Sequence, residues 1–327
     1  MGPRKKPILD LLMRRREFLA ASALSPMLLK AASGSAQLKV LFDTDIGSDI
    51  DDAVGLAYLL SEPKCQLLGI TTVSGQPHER AKLASALCIA AGKEIPVYPG
   101  AAQPLVIPQM QPKVPQAARL NAWEHQKNFP KDGAIAFMRS VIRANPGDVT
   151  LLAVGPLTNI ALLFMSDPEI PALLKELVIM GGKYSDYPTP WGPTEWNAIV
   201  DPHAAGIVFR QKGLNIRAFG LDITWRISMT PEEVSSRFEN SPLLRIVLDW
   251  SEVWFSERDL LHFHDPLAAV ALFDPAVCSY QAGKIEVELE NREFLGVTYF
   301  EQSKGSQIRV ATDIDPSRFF QKYFSVF

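Results

Sequence analysis

The amino-acid sequence predicts an α/β fold, an open and mostly parallel sheet with helices on both faces and a short antiparallel extension at the C-terminus. Three observations predict it. Short apolar runs of strand character alternate with helical stretches along most of the 327 residues, the pattern of repeated strand-helix-strand units. The run at 149–154, Val-Thr-Leu-Leu-Ala-Val, is apolar on both faces, as a strand covered by helices on both sides must be. Polar and glycine-rich residues follow strands directly, at Asp43, Ser74, Gly155, Gly181 and Asp222, and open α/β sheets bind ligands at the carboxyl ends of their strands.

The elements follow in order. Residues 38–42 form the first strand and 52–60 the first helix, with Asp49 to Asp52 in or just before its first turn, where acidic groups meet the positive helix end. Residues 67–73 are a second strand, and 79–91 a helix stopped by Gly92. A short extended piece at 95–98 leads into 99–131, rich in Pro and Gln, which reads as a surface excursion of the kind that forms lids. A helix at 133–144, the strand at 149–154, a helix at 160–165 and a strand at 176–180 come next. Residues 183–200 are irregular; 202–212 is a helix and 215–219 a strand. Helices are expected at 231–239, 242–261 and 264–273, antiparallel strands at 284–289, 296–301 and 307–312, and a closing helix at 317–323. There is no internal repeat and no linker, so residues 37–327 read as one domain.

Residues 1–36 stand apart. A basic start, Arg14-Arg15-Arg16-Glu17-Phe18-Leu19, an apolar run to Leu29 and the small residues Ala31 to Ala36 have the order of a signal peptide. Arg15-Arg16-x-Phe18-Leu19 resembles a twin-arginine export signal. A bacterial protein that is periplasmic or secreted, with no stable membrane anchor after cleavage, is the expectation. Composition is ordinary for a globular protein, with 47% hydrophobic residues. A net charge of −3 argues against nucleic acid or anionic membrane as a partner. Cys65, Cys88 and Cys278 form no C-x-x-C pair and read as small buried apolar residues.

Chemistry is concentrated in Asp43-Thr44-Asp45-Ile46-Gly47-Ser48-Asp49-Ile50-Asp51-Asp52-Ala53, which has five aspartates in ten residues and no Lys or Arg from position 40 to 63. Between a core strand and a helix, such a cluster needs a cation, and oxygen ligands favour a hard divalent one. An EF-hand loop starting at Asp43 would need Gly at position 48 and Glu at 54, where the chain has Ser48 and Val54. A haloacid-dehalogenase-type phosphatase also begins with a strand and D-x-D. It would use Asp43 as nucleophile and Asp45 as acid, but it expects Thr or Val where Gly47 stands and leaves Asp51-Asp52 unexplained.

Asp43-x-Asp45-x-Gly47 with Asp51-Asp52-Ala53 resembles the signature of the inosine-uridine-preferring nucleoside hydrolase family. The likeness continues, in family order, through Gly69-Ile70-Thr71-Thr72-Val73, Gly155-Pro156-Leu157-Thr158-Asn159, Met180-Gly181-Gly182, Glu195-Trp196-Asn197, Asp201-Pro202, Leu221-Asp222-Ile223-Thr224 and His264-Asp265-Pro266. The resemblance implies hydrolysis of the N-glycosidic bond of a ribonucleoside with one calcium ion (Ca2+), giving ribose and a free nucleobase for salvage. It implies a metal held by Asp45, Asp52, Asp265 and the carbonyl of Val154, with Asp43 orienting these ligands from behind. Asp45 is the implied base on a water whose pKa the metal lowers. Asp51, Gln76, Met180, Glu195 and Asn197 would bind the ribose, and His264 would contact and protonate the leaving base, a role suited by a pKa near neutrality. Asp49 is left as a helix N-cap or turn residue, and His262 and His203 as structural. A nucleoside- or ribose-binding protein without turnover is the alternative within the same fold. The family also implies a homodimer or homotetramer. Gln76 stands where Asn is common and Trp225 where His is common, which bears on substrate range; Trp191, Trp196, Trp225 and Trp254 are candidates to stack on a base or to pack.

Overall fold

The structure, a computed structural model, describes residues 37–131 and 133–327. The signal-peptide reading of residues 1–36 lies outside the described residues. Eleven strands alternate with helices in the described residues: β1 (Leu38–Thr44), α1 (Asp51–Ser61), β2 (Cys65–Thr72), α2 (Pro77–Ala90), β3 (Val97–Pro99), α3 (Ala134–Ala144), β4 (Val149–Ala153), α4 (Thr158–Ser166), α5 (Ile170–Leu173), β5 (Glu176–Met180), α6 (Trp196–Val200), α7 (Pro202–Phe209), β6 (Ile216–Phe219), α8 (Leu221–Thr224), β7 (Ser228–Met229), α9 (Pro231–Phe238), α10 (Pro242–Phe255), β8 (Leu261–His262), α11 (His264–Ala271), β9 (Cys278–Val287), β10 (Thr298–Gln302), β11 (Ile308–Ile314) and α12 (Pro316–Phe324).

Nine strands form one sheet in the order β10-β9-β11-β6-β5-β4-β1-β2-β3. β1 pairs in parallel with both β2 and β4. The chain therefore builds outward from β1 in one direction through β2 and β3, then returns to build the other way from β4. That reversal makes the carboxyl ends of β1 and β4 the place where an open α/β sheet leaves a crevice.

Side chains along the central strands alternate between two cores. Val40, Phe42, Leu152, Val178 and Met180 belong to the core on one face; Leu41, Leu151, Ala153, Leu177 and Ile179 belong to the other. This is the period-2 alternation of strands, with helices covering both faces. α1 is buried from Asp51 to Leu60 and packs against α11. That contact brings His264-Asp265 to the acidic turn.

One expectation is corrected, the end of a helix, and two that hold are refined. Residues 99–131 are no mere surface excursion: a 3₁₀-helix, Pro115–Ala122, buries Gln116 and Leu120. The segment packs on the acidic turn, because Gly47 has φ +110 and Val114 lies where a Cβ would sit. The helix expected to reach residue 261 ends at Phe255, since Ser256-Glu257-Arg258-Asp259 breaks the apolar periodicity. The C-terminal strands are antiparallel at β9–β10 and β9–β11, but β11 also joins β6 in parallel, so this extension is continuous with the main sheet. Cys65, Cys88 and Cys278 are free and buried. No described helix is long and apolar enough to cross a membrane.

Candidate active site

The acidic turn leaves β1 at its carboxyl end and enters α1. Asp43, the penultimate residue of β1, is fully buried. One of its oxygens accepts hydrogen bonds from the Thr71 hydroxyl and from Asn159 Nδ2, the latter at 2.7 Å. The other oxygen, Oδ2, is buried without a partner. Burial pushes the Asp43 carboxyl up to about 7, against the pull of the Thr71 and Asn159 hydrogen bonds.

Asp51, Asp52 and Asp265 are buried, and each brings a carboxylate oxygen within 4.8 Å of the others. Asp51 Oδ2 accepts from the Asp265 main-chain N–H at 2.9 Å, which ties the start of α11 to the start of α1. Thr44 donates to Asp52 Oδ1. Burial first, and then repulsion from the neighbouring aspartates (Asp49 for Asp51, Asp45 for Asp52, Asp51 for Asp265), hold all three carboxyls well above the usual carboxylate range. Asp45 is also raised by burial, with Arg80 pulling the other way. Three buried, crowded carboxyls, with Asp45 close enough to raise them further, are a donor set that a hard divalent cation fits. Such an ion would offset their repulsion.

The implied metal set is only partly gathered in this way. Asp52 and Asp265 are in the cluster, joined by Asp51. Asp45 lies beside it, its Oδ2 held by Gln111 Nε2 at 2.8 Å. The Val154 carbonyl accepts from Asn197 Nδ2 at 2.8 Å. Gly155 follows because nothing larger fits: a Cβ there would sit 2.7 Å from Asp45 Oδ1.

The implied sugar-binding residues are placed unevenly. Asn197 lies against β4 and β5, its Nδ2 also 3.2 Å from the Met180 carbonyl oxygen. Glu195 caps α6 with its carboxylate, accepting from the Asn197 and Ala198 N–H groups, and also accepts from Gly182 N–H at 2.8 Å. Burial still lifts Glu195 to about 7. Gln76 is exposed and donates to the Pro112 carbonyl at 2.9 Å, so it anchors the 99–131 segment. The N-cap position of α1 is Ile50, not Asp49; Asp49 Oδ1 accepts from the Ile50 N–H at 2.6 Å.

His264 is buried, with Nδ1 2.7 Å from the Thr224 hydroxyl. Burial, and then the neighbouring His262, lower its pKa to about 3, so the ring is neutral near pH 7 rather than titrating there. Trp225 stacks on His262 with centroids 3.7 Å apart and lies near-parallel to His264 at 6.0 Å. Trp191, half-exposed, meets Trp225 edge-on at 5.1 Å. His125 stays in its own segment, its Nδ1 2.9 Å from the Trp123 carbonyl.

Several residues of the site carried no assignment from sequence. Arg80, fully buried on α2, donates to the carbonyls of Ser74, Asp45 and Ile46 and to the Ser48 hydroxyl. It is the cation missing from the neighbouring sequence. Gln111 and Trp196 meet over Asp45, Trp196 Nε1 donating to Gln111 Oε1 at 3.1 Å. Asn159 stood inside a quoted motif without a role, and its role is to hold Asp43. An Arg placed early in a helix, or a Gln in a loop, gives no signal of which group it will reach. Only the motif context of Asn159 could have been read.

Comparison with known proteins assigns the family and the fold. The family described as inosine-uridine preferring nucleoside hydrolase matches residues 40–321. The non-specific ribonucleoside hydrolase RihC of Salmonella newport is 32% identical over 300 residues, covering 87% of this chain and 96% of that protein. Uridine nucleosidase 1 of Arabidopsis thaliana is 29% identical over 275 residues, covering 77% and 79%. A solved plant nucleoside hydrolase superposes with a TM-score of 0.77 at 25% identity, over 88% of this chain and 98% of that one. The purine-preferring ribonucleoside hydrolase of Gardnerella vaginalis shares the fold, with a TM-score of 0.75 at 23% identity over 88% and 97%. The chain belongs to the inosine-uridine preferring nucleoside hydrolase family.

Proposed function

We propose that this chain hydrolyses the N-glycosidic bond of ribonucleosides with a calcium ion at the acidic turn. The activity itself, hydrolysis of N-glycosyl compounds, follows from the family and from relatives named as ribonucleoside hydrolases and nucleosidases. That membership removes the haloacid-dehalogenase-type phosphatase reading. The observation that carries the cation is the convergence of the buried carboxylates of Asp51, Asp52 and Asp265.

Asp52, Asp265, Asp45 and the Val154 carbonyl would hold the ion. When bound, it supplies acidification of a water and a fixed point for ribose hydroxyls. Asp45 takes the proton from the attacking water. Asp51 and Asn197 hold sugar hydroxyls and fix the ring near its reacting geometry. Glu195 orders the backbone at Gly182 and α6 beneath the sugar. Four carboxylates, those of Asp45, Asp51, Asp52 and Asp265, leave the site negative around one divalent ion, which favours the oxocarbenium-like sugar of the transition state. His264, fixed through Nδ1 by Thr224, presents its other ring nitrogen to the leaving base. Trp191 and Trp225 wall the side on which that base would lie.

A reducing-sugar assay with inosine and uridine tests the reading. Ribose release is expected, lost in a calcium chelator and restored by calcium. Release from no nucleoside, or full activity in chelator, would overturn the cation mechanism. We also read the chain as exported by the twin-arginine route to the periplasm or beyond, and as a homodimer or homotetramer. Cell fractionation and the mass in solution decide these two directly.

A further inference from the structure

Asp45 has a neighbour that its own motif does not supply. Gln111 is 8% exposed and comes from the 99–131 segment, more than sixty positions along the chain. Its carboxamide is used at both ends. Nε2 donates to Asp45 Oδ2 at 2.8 Å, and Oε1 accepts from Trp196 Nε1 at 3.1 Å. An amide bonded in this way cannot rotate by 180° without facing two donors, and then two acceptors, at each other.

The backbone of Gln111 is fixed as well. Its N–H donates to Gln109 Oε1 at 2.6 Å, and Gln109 Nε2 donates to the Ala102 carbonyl at 2.6 Å. Its carbonyl oxygen lies 2.3 Å from where a Cβ on Gly75 would sit, so the segment is docked closely on the loop after β2. On the other side Trp196 is the first residue of α6, whose N-cap is Glu195. The two irregular segments of the sequence thus meet at one side chain, and that side chain grips one oxygen of Asp45.

We propose that Trp196 and Gln111 are positioning residues that act in series on Asp45: Trp196 fixes the orientation of the Gln111 amide, and the amide holds Oδ2 so that Oδ1 keeps a single direction above Gly155. A carboxylate held at one oxygen presents the other to a water at one angle. A carboxylate left to rotate has many, and a loss of alignment of this kind is expressed in turnover and not in substrate affinity.

The inference rests on the assignment of Asp45 as the base, and the experiment separates the two. Steady-state kinetics are measured for Asp45→Asn, Gln111→Ala, Trp196→Phe and the double variant, with a nucleoside that the wild type cleaves. Phe keeps the ring and removes only the N–H. Gln111→Ala is expected to lower kcat about tenfold or more with KM within about twofold, and Trp196→Phe to lower kcat by about threefold. The double variant should be no slower than Gln111→Ala alone, because Trp196 acts only through the amide. Multiplying effects, unchanged kcat, or a rise in KM with kcat intact would each overturn the relay. Should Gln111→Ala fail to fold, Gln111→Met keeps the volume, removes both hydrogen bonds and carries the same expectation. Wild-type turnover in Asp45→Asn would sink the base assignment itself. An inactive Asp45→Asn beside fully active Gln111 and Trp196 variants would sink only the relay.

Discussion

The floor and the roof of the site are built differently. The floor is the acidic turn with the start of α11. Its carboxylates are buried; Thr44, Thr71 and Asn159 bond to them, and Arg80 holds the main chain of the turn from α2. The roof is made of Gln111, Trp191 and Trp196 with the Trp225–His262 stack behind them. Trp191 and Trp196 are 52% and 45% exposed, and their segment is joined to the body by a few side-chain bonds. Order in the floor comes from sheet topology; order in the roof comes from individual contacts, which open at lower free energy. The floor therefore defines what reaction is possible, and the roof how well base and substrate are aligned for it.

The largest effect that would break this division lies in the floor. Asp52→Asn keeps the oxygen that accepts from Thr44 and removes a charge from the crowd around Asp45, Asp51 and Asp265. Activity should fall by more than about a hundredfold, beyond what a group merely supporting a metal ligand is worth. In chelator the same variant should melt higher than the wild type, because a buried repulsive charge is gone. A variant that keeps its activity, or that melts lower in chelator, would show that the cluster is not a cation site held under repulsion.

What could be read from sequence follows the same boundary. The parallel sheet was legible because a strand apolar on both faces, such as 149–154, has few other uses. The acidic cluster was legible because its residues are adjacent in sequence and chemically extreme. His264 and Asp265 were found by motif, and the packing of α11 on α1 explains why they converge on it. Arg80 was not legible: nothing in Pro77-His78-Glu79-Arg80 tells that its guanidinium turns back under the turn after β1. Gln111 was hidden for the same reason, in a segment whose Pro and Gln content reads as loop. The near-neutral titration expected of His264 also failed, because sequence gives the neighbour Asp265 but not the depth of burial.

Two glycines sharpen the comparison at intermediate cost. Gly155→Ala places a Cβ 2.7 Å from Asp45 Oδ1 and 3.0 Å from Asp45 N and Val73 Cγ1, so the floor must shift. Turnover should drop by about a hundredfold, the cost of misplacing a reacting group by about 1 Å, with the circular dichroism spectrum unchanged. In the roof, Gly192 has φ +60 and nothing within 4 Å of a new Cβ. Gly192→Ala should cost only the left-handed backbone strain, about 1 kcal/mol, and leave kcat within about twofold. Equal losses of kcat in the two variants would remove the distinction between floor and roof.

The smallest effects are those of pH on stability, where the buried carboxylates and the two buried histidines have opposite signs. Burial raises Asp43, Asp49 and Glu195 to about 7, and Asp51, Asp52 and Asp265 well above their usual range. Without a cation the folded state binds more protons than the unfolded one at these groups, so their contribution is present at low pH and is lost as pH rises through 7. Burial lowers His262 and His264 from 6.5 to about 4 and about 3, so their contribution is present above 6.5 and is lost as pH falls towards those values. Between pH 6.5 and 8 only the carboxylates titrate, and the melting temperature in chelator should fall across that window. Saturating calcium binds the ionised ligands and should flatten this limb. It leaves the decline below pH 6.5 that the histidines cause. His262→Phe, which keeps the stack on Trp225, should then make that acid limb shallower and leave the alkaline one unchanged. A melting curve in calcium that stays flat from pH 8 to 5 in the wild type would mean that His262 and His264 are not held neutral, and that histidines and carboxylates share one electrostatic environment.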